Sequence, residues 1–245
     1  MAAEKVAFIT GGNKGIGLET ARQLGKLGIK VVIGARDPAK GQAALAKLRA
    51  DGVNAEAVRF DITKAADYKE VYKYLDQHYG KLDILVNNAG ISKENFLAGN
   101  KTSSTSAELL HETFDTNFFG AVELTQVLLP LIRKAPAGRI VNLSSILGSL
   151  ALHADSGSPI YDAKAFAYDA SKSALNAFTV HLAHELKDTK IKVNSAHPGW
   201  VKTDMGGEQA PLDIVTGAKT SVKLATLPDD GPTGAYIHLD QTLPW

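Results

Sequence analysis

The sequence predicts one α/β domain, a doubly wound and mainly parallel sheet of seven strands with helices on both faces. Short β-branched runs alternate along the chain with longer segments of helical periodicity, the pattern of a parallel sheet joined by crossover helices. No repeat, proline-rich linker or low-complexity tract divides residues 1–245. A chain of this length suits a single large domain.

The predicted elements follow one another in strict alternation. Seven segments have the length and β-branched content of strands: Val6–Thr10, Lys30–Ala35, Ala55–Phe60, Leu82–Asn87, Arg139–Leu143, Ile191–His197 and Ala235–Leu239. Six segments have helical periodicity: Gly15–Leu27, Ala39–Ala50, Ala65–Tyr79, Ala107–Lys134, Ala165–Leu186 and Leu212–Leu224. Helices placed between strands in this way can make right-handed crossovers.

Composition excludes several functional classes. Lys and Arg number 27 against 26 Asp and Glu, and no block of like charge occurs, so neither nucleic acid nor a membrane surface is predicted as a partner. The chain has no cysteine, which excludes disulfides, thiolate nucleophiles and cysteine-ligated zinc. Glu4 and Lys5 lead directly into the first strand, which leaves no room for a signal peptide. A cytoplasmic protein is therefore expected.

A glycine-rich loop joins the first strand to the first helix, with the sequence Thr10-Gly11-Gly12-Asn13-Lys14-Gly15-Ile16-Gly17. Glycine permits positive φ angles and close backbone approach, and a helix N-terminus offers free N–H groups and a positive dipole to a phosphate. A lone glycine motif is as compatible with an ordinary turn as with a ligand site. The strand, loop and helix context favours a dinucleotide pyrophosphate, and the spacing is not that of an NTP-hydrolysing loop.

The end of the second strand decides which nicotinamide cofactor is expected. An acidic residue there binds the ribose hydroxyls of NAD, and a basic residue binds the 2′-phosphate of NADP. Asp37 has the spacing of an NAD ligand, but a helix N-cap followed by Pro38 explains it without a ligand. Arg36 and Lys14 can then converge on a 2′-phosphate, although most such cations are solvated surface groups. NADP(H) is the favoured cofactor.

Tyr168 and Lys172 are four residues apart on a predicted helix and therefore share a face. A lysine at this position can lower the pKa of the phenol and make it a workable acid at neutral pH. Ser145 ends a strand at the carboxyl edge of the sheet, where its hydroxyl can donate to a substrate carbonyl. Ser144 is the rival, but it should point to the opposite side of the strand. The pair of Tyr168 and Lys172 alone is a pattern that chance often produces.

With these motifs together, the chain resembles the short-chain dehydrogenases/reductases, and more closely their NADPH-dependent carbonyl reductase branch. The likeness covers nearly the whole chain and rests on further segments just beyond predicted strands or in the fourth predicted helix. These are Asp61-Ile62, Asn87-Asn88-Ala89-Gly90, Thr116-Asn117-Phe118-Phe119-Gly120 and Pro198-Gly199. If each of these segments were only a turn, their order along the chain would have no explanation.

The resemblance implies a Rossmann-type fold and a role for each motif. Asp61 and Ile62 would flank the adenine, and Asn88, Ala89 and Gly90 would line the cofactor cleft. Pro198, Gly199, Val201 and Thr203 would hold the nicotinamide side. Tyr168 and Lys172 would also contact the cofactor, Lys172 through the nicotinamide ribose. The expected catalytic set is Asn117, which would hold a water in a proton relay, with Ser145, Tyr168 and Lys172.

One segment departs from the family pattern. The 22 residues between Ser145 and Tyr168 exceed the number in many members of the family, and we hypothesise that they cover the substrate pocket. In relatives with such an insertion it obstructs the usual helix-mediated oligomer, so a monomer and a homo-oligomer both stay open. His181, His184 and Glu185 share a helix without a further ligand at metal spacing, and no metal is expected.

The function predicted from the sequence is reduction of a small ketone or aldehyde by NADPH, with Tyr168 as the proton donor. An NAD-dependent alcohol dehydrogenase and a non-catalytic NADP-binding regulator are the alternatives. Neither the substrate nor the direction of the reaction follows from these residues.

Overall fold

The computed structural model describes residues 4–94, 96 and 99–245. Within these residues the strands are β1 Val6–Thr10, β2 Lys30–Ala35, β3 Ala55–Arg59, β4 Ile84–Asn87, β5 Arg139–Leu143, β6 Lys192–Ala196, β7 Tyr236–His238 and β8 Gln241–Thr242. They form one sheet in the order β3-β2-β1-β4-β5-β6-β7-β8, parallel from β3 to β7, with β8 antiparallel to β7. The doubly wound α/β fold predicted from the sequence is confirmed.

Helices cover both faces of this sheet. They are α1 Gly15–Lys26, α2 Pro38–Ala50, α3 Ala65–Tyr79, α4 Ala107–Phe114, α5 Gly120–Arg133, α6 Leu150–Ala154, α7 Phe166–Glu185 and α8 Ile214–Ala225. One apolar core lies between the sheet and α3, α5 and α7, and a second lies between the sheet and α1, α2 and α8. Alternate residues of each strand serve the two cores, as Phe8 and Ile9 do on β1.

Two element predictions need correction. The sheet has an eighth strand, β8, which pairs with β7 through only Gln241 and Thr242 and is too short to show periodicity in the sequence. The predicted helix Ala107–Lys134 is interrupted, because residues Asp115–Phe119 form a π-helical turn between α4 and α5. The wider turn keeps the chain helical, so apolar periodicity alone does not reveal it.

The strand order places a crevice at the carboxyl edge of the sheet. β1 pairs with β2 on one side and with β4 on the other, so the connections that leave β1 and β4 diverge. Ligands of doubly wound folds bind at such a reversal point. Among the described residues, no helix is both long enough and apolar enough to span a membrane.

Candidate active site

A cleft of about 1560 Å³ opens at the carboxyl edge of the sheet. Most of the predicted site residues border it, from the glycine loop to the ends of β2, β3, β4 and β5 and the first turn of α7. They are Gly11, Asn13, Lys14, Gly15, Ile16, Gly17, Arg36, Asp61, Ile62, Asn88, Ala89, Gly90, Tyr168, Lys172, Pro198 and Thr203. Motifs that are up to about 190 residues apart in the chain therefore share one surface.

The glycine loop has the geometry that a close-lying phosphate needs. Gly11 and Gly15 have φ angles of 63° and 54°, in the left-handed region that favours glycine. At Gly17 a Cβ would overlap the side-chain amide of Asn88 and lie 2.7 Å from the carbonyl oxygen of Gly11. Because α1 begins at Gly15 without a side-chain cap, its first N–H groups are available to an anion.

Asn88 joins the end of β4 to the end of β1. Its Nδ2 donates to the carbonyl oxygens of Thr10 and Gly11, at 2.7 and 3.3 Å. The Thr10 hydroxyl in turn accepts from the backbone N–H groups of Asn88 and Ala89, both at 2.9 Å. Asn88 therefore fixes the glycine loop as well as lining the cleft, which is more than a turn residue does.

Cations border the cleft from the end of β2 and from the glycine loop. Asp37 caps α2 by accepting from the backbone N–H groups of Ala39 and Lys40 at 2.9 and 3.3 Å, as the capping interpretation predicts. Arg36 and Lys40 border the cleft beside it. Lys14 instead pairs with Asp204, which belongs to the loop after β6. Lys40 was missed in the sequence, although its place in the first turn of α2 was a usable signal.

Tyr168 and Lys172 lie in the first turns of α7 and are both buried. The Lys172 ammonium is 5.6 Å from the centroid of the Tyr168 ring and donates to the carbonyl oxygen of Leu143 at 2.8 Å. The hydroxyl of Ser145 lies within hydrogen-bonding reach of the Tyr168 phenol. Helical spacing and the end of β5 thus bring three of the predicted catalytic side chains together.

The pKa prediction for the phenol was wrong in direction. Burial raises the pKa of Tyr168 to about 12, and the contact with Ser145 lowers it only in part. Burial also lowers the pKa of Lys172 to about 8, so this ammonium is still mostly protonated at neutral pH. Desolvation sets the direction of this shift, and Tyr168 keeps its proton at neutral pH.

The two serines at the end of β5 have different surroundings. Ser145 faces Tyr168, and its hydroxyl also accepts from the backbone N–H of Leu147 at 3.3 Å. Ser144 borders the cleft but is almost fully buried, and its hydroxyl has no hydrogen-bond partner among the described residues. The geometry therefore favours Ser145 as the serine beside the phenol.

Asn117 lies in the π-helical turn and is buried. Its amide donates to the carbonyl oxygen of Ile91 at 2.9 Å and to the Ser171 hydroxyl at 3.0 Å, and its oxygen accepts from the N–H of Ile91 at 2.8 Å. Ser171 in turn donates to the carbonyl oxygen of Tyr168 at 2.7 Å. Asn117 is thus linked to the start of α7, and its role in holding a water stays a prediction.

Glu94 and Phe96 are neighbours of Tyr168 that the sequence did not indicate. The Glu94 carboxylate accepts from the backbone N–H groups of Ala167 and Tyr168, at 3.2 and 2.9 Å. The Phe96 ring meets the Tyr168 ring edge to face, with centroids 5.1 Å apart. Glu94 caps α7 from a loop 74 residues away in the chain, and a cap so distant leaves no local pattern.

The segment 146–167 contains α6 and packs beside α7. The His153 ring lies 3.3 Å from the Asp169 carboxylate, and the Lys164 ammonium donates to the carbonyl oxygen of His153 at 2.9 Å. The backbone N–H of Ala151 donates to the carbonyl oxygen of Trp245 at 2.9 Å. All of its residues are described, and none of them borders the cleft. This geometry does not support the hypothesis that the segment covers the substrate pocket.

The loop after β6 forms the far wall of the cleft through Pro198, Thr203 and Met205. Gly199 and Val201 lie behind this wall: Val201 is buried against Gly217, and a Cβ on Gly199 would overlap Leu212. Their contact with a cofactor stays a prediction. Within the described ranges, no group of three or more His, Asp or Glu side chains is arranged to hold a metal ion.

Similarity to known proteins extends over most of the chain. Residues 5–212 match the family model described as short chain dehydrogenase. Carbonyl reductase (NADPH) 1 of Homo sapiens is 34% identical over 278 aligned positions, which cover 98% of this chain and 98% of that protein. The alignment is longer than the 245 residues of this chain, so inserted segments separate the two proteins.

Solved structures agree with this assignment. An NADPH-bound carbonyl reductase from chicken fatty liver superimposes with a TM-score of 0.84 and 28% identity, covering 99% of each chain. Salutaridine reductase from Papaver somniferum superimposes with a TM-score of 0.82 and 32% identity, covering 95% of this chain and 99% of that one.

Proposed function

This chain belongs to the short-chain dehydrogenase family, and we propose that it reduces a ketone or aldehyde with NADPH, using Tyr168 as the proton donor. The observation that carries the proposal is the arrangement of three neighbouring side chains, of which Tyr168 and Lys172 border the cleft and Ser145 lies beside the Tyr168 phenol. The Ser145 hydroxyl is within reach of the Tyr168 phenol, and the Lys172 ammonium lies 5.6 Å from the phenol ring. A carbonyl oxygen placed between Ser145 and Tyr168 would receive two hydrogen bonds.

The residues of the cleft fit NADP(H), the cofactor that carbonyl reductases of the comparison bind. Gly17 lies so close to Asn88 that a side chain is excluded, which keeps the pyrophosphate end of the cleft open. Arg36 and Lys40 border the cleft where β2 ends and would hold a 2′-phosphate. Asp37, the residue an NAD enzyme would use, is occupied with capping α2. NADP(H) is accordingly the cofactor of this protein.

NADPH, when bound, supplies the hydride that adds to the carbonyl carbon. In the proposed mechanism the Ser145 hydroxyl donates a hydrogen bond to the carbonyl oxygen and orients it toward Tyr168. The Tyr168 phenol, whose pKa is raised to about 12, then transfers its proton to that oxygen as negative charge develops there. Lys172 keeps a positive charge next to the phenolate that this transfer leaves behind.

A panel of ketones and aldehydes, followed by the loss of NADPH absorbance, tests the proposal. We expect turnover of at least some carbonyls, and a higher kcat/KM with NADPH than with NADH. Calorimetry with NADPH serves as the control for a folded, cofactor-competent protein. A protein that binds NADPH and reduces no member of a broad panel would contradict the proposal and favour the regulatory alternative. A preference for NADH with alcohol substrates would favour the dehydrogenase alternative.

A further inference from the structure

The turn that carries Ser145 lies between α7 and the last parallel strand. A short 3-10 turn, Ile146–Gly148, begins at Ser145. On the α7 side, the carbonyl oxygen of Gly148 accepts from the Ser173 hydroxyl at 3.0 Å and from the Asn176 amide at 3.2 Å. A Cβ on Gly148 would lie 2.9 Å from the Cβ of Lys172, so the turn packs directly on α7. This side of the turn fixes its distance from the helix that carries Tyr168.

The opposite side of the turn is held by Tyr236 on β7. This residue has no exposed surface, and its hydroxyl donates to the carbonyl oxygen of Ser145. The same oxygen accepts from the N–H of Gly148 at 2.7 Å, which closes the 3-10 turn. The side chains of Ser144 and Asn176 lie beside the Tyr236 phenol. The buried hydroxyl therefore contacts the turn at the Ser145 carbonyl.

The hydroxyl and the ring of Tyr236 have separable roles. The ring stacks on Trp245, with centroids 5.3 Å apart and an interplanar angle of 17°. A phenylalanine would fill the same space and keep this stacking, so packing alone does not require a hydroxyl. Buried phenols are normally hydrogen-bonded, and here the bond goes to the main chain of a proposed active-site residue. The hydroxyl is thus the part of Tyr236 that contacts the main chain of Ser145.

We propose that Tyr236 is a positioning residue for Ser145: its hydroxyl holds the Ser145 carbonyl and so fixes the Ser145 hydroxyl against Tyr168. This inference rests on the proposed function, in which Ser145 binds the substrate carbonyl. His197, the residue after β6, holds the same turn, because its Nδ1 accepts from the N–H of Ile146 at 3.1 Å. Tyr236 differs from His197 in that its bond reaches the serine itself.

The test compares the wild type with Tyr236→Phe, Ser145→Ala and the double variant. We expect kcat for a carbonyl substrate to fall about tenfold in Tyr236→Phe, because small displacements of a catalytic group slow the reaction strongly. The Kd for NADPH should stay unchanged, since Tyr236 does not border the cleft. The double variant should be no slower than Ser145→Ala, because Tyr236 acts through the serine.

Hydrogen exchange supplies a readout that is independent of turnover. Peptides that cover residues 145–149 should exchange faster in Tyr236→Phe than in the wild type. Tyr79→Phe is the matched control: it also removes a tyrosine hydroxyl bond, to Glu56 at 2.8 Å, but far from the cleft. This control should leave kcat and the exchange of residues 145–149 at wild-type values even if its Tm falls.

The outcomes separate the inference from the proposed function. Unchanged exchange of residues 145–149 in Tyr236→Phe overturns the inference, whether or not the wild type reduces any carbonyl. Faster exchange with an unchanged kcat in an active enzyme also overturns it, as does a double variant in which the two losses simply multiply. A wild type that reduces no carbonyl contradicts the proposed function, and with it the catalytic part of the inference, while exchange still decides whether Tyr236 holds the turn.

Discussion

The two ends of the cleft are formed by different kinds of chemical groups. At the end formed by β1 to β4, the ligand surface consists of glycine backbone, helix N–H groups and exposed cations such as Arg36. At the end formed by β5 and α7, it includes the buried side chains of Tyr168 and Lys172, and Lys172 bonds to the main-chain carbonyl of Leu143. Behind this surface, Tyr236 holds the main-chain carbonyl of Ser145. A substitution that adds atoms should therefore damage the first end most, and one that removes a polar atom should damage the second.

The electrostatics of the two ends differ in the same way. The cations near the cofactor phosphates are exposed, and solvent screens them. Around Tyr168 burial dominates: it raises the pKa of Tyr168 to about 12 and of Asp169 to about 7, and it lowers that of Lys172 to about 8. Binding of the cofactor should therefore depend on salt, and the chemical step should depend on the integrity of a buried network.

The largest effect expected is at the reacting end. Tyr168→Phe removes the proposed proton donor and should lower kcat by about 10²- to 10⁴-fold, the usual contribution of a general acid. The Kd for NADPH, measured by calorimetry, should change little. A variant that keeps near wild-type turnover would contradict the assignment of Tyr168 as the proton donor. It would also show that loss of a polar atom does not damage this end of the cleft.

At the cofactor end, the most damaging change adds a single methyl group. In Gly17→Ala the new Cβ would overlap the Asn88 amide, so we expect NADPH to bind at least tenfold more weakly and stability to fall by about 1–3 kcal/mol. Calorimetry and urea unfolding measure the two effects. Gly157→Ala is the control, because Gly157 lies in an exposed turn without a positive φ, and it should lower neither the affinity for NADPH nor the stability. Tight NADPH binding by Gly17→Ala would show that this end tolerates added atoms.

Cofactor choice should depend on the cations beside β2. Arg36→Ala combined with Lys40→Ala should reduce the preference for NADPH over NADH by about tenfold or more, because charge-assisted hydrogen bonds are lost. Lys47→Ala, an exposed cation on the same helix that does not border the cleft, provides the control. The ratio of kcat/KM for the two cofactors is the measurement, and a ratio that does not move would rule out both residues as 2′-phosphate ligands.

A smaller effect is expected from the cap that holds the start of α7. Glu94→Ala should lower the unfolding free energy by about 0.5–2 kcal/mol and reduce kcat a few-fold, since two N–H groups lose their acceptor. Glu94→Gln keeps one acceptor oxygen and should recover part of both losses. Thermal unfolding and steady-state kinetics on the same preparations measure the two quantities. Equal losses in the two variants would mean that the charge, not the acceptor, is what α7 needs.

A further prediction concerns the dependence of stability on pH. Burial raises the pKa of Asp169 to about 7 in the folded protein from an ordinary 3.8, so between these values the folded state binds more protons than the unfolded state. The contribution of Asp169 to stability should therefore fall as pH rises from about 4 to about 7. Asp169→Asn should remove this decline, so its urea midpoint at pH 7.5 relative to that at pH 4.5 should be higher than in the wild type. Asp213→Asn is the control, because the pKa of Asp213 is lowered and its effect has the opposite sign.

The cofactor end was largely readable from the amino-acid sequence. Glycine spacing after a β-branched run, the capping pair Asp37-Pro38 and the turns after strands are local signals, and their residues lie where these signals put them. The pairing of Lys14 with Asp204 was not readable, because its two members are 190 residues apart in the chain. Lys40 was missed although the signal for it is local, since it stands in the first turn of a predicted helix.

The sequence by itself determined the alternation of strands and helices, the glycine loop and the shared helical face of Tyr168 and Lys172, since each depends on residues close together in the chain. Only the tertiary structure decided the surroundings of Tyr168: the Glu94 cap, the π-helical turn that holds Asn117, the Tyr236 bond to Ser145 and the direction of the pKa shifts. These depend on burial and on contacts between distant segments. Desolvation is a property of the folded surroundings, and no local pattern of residues encodes it.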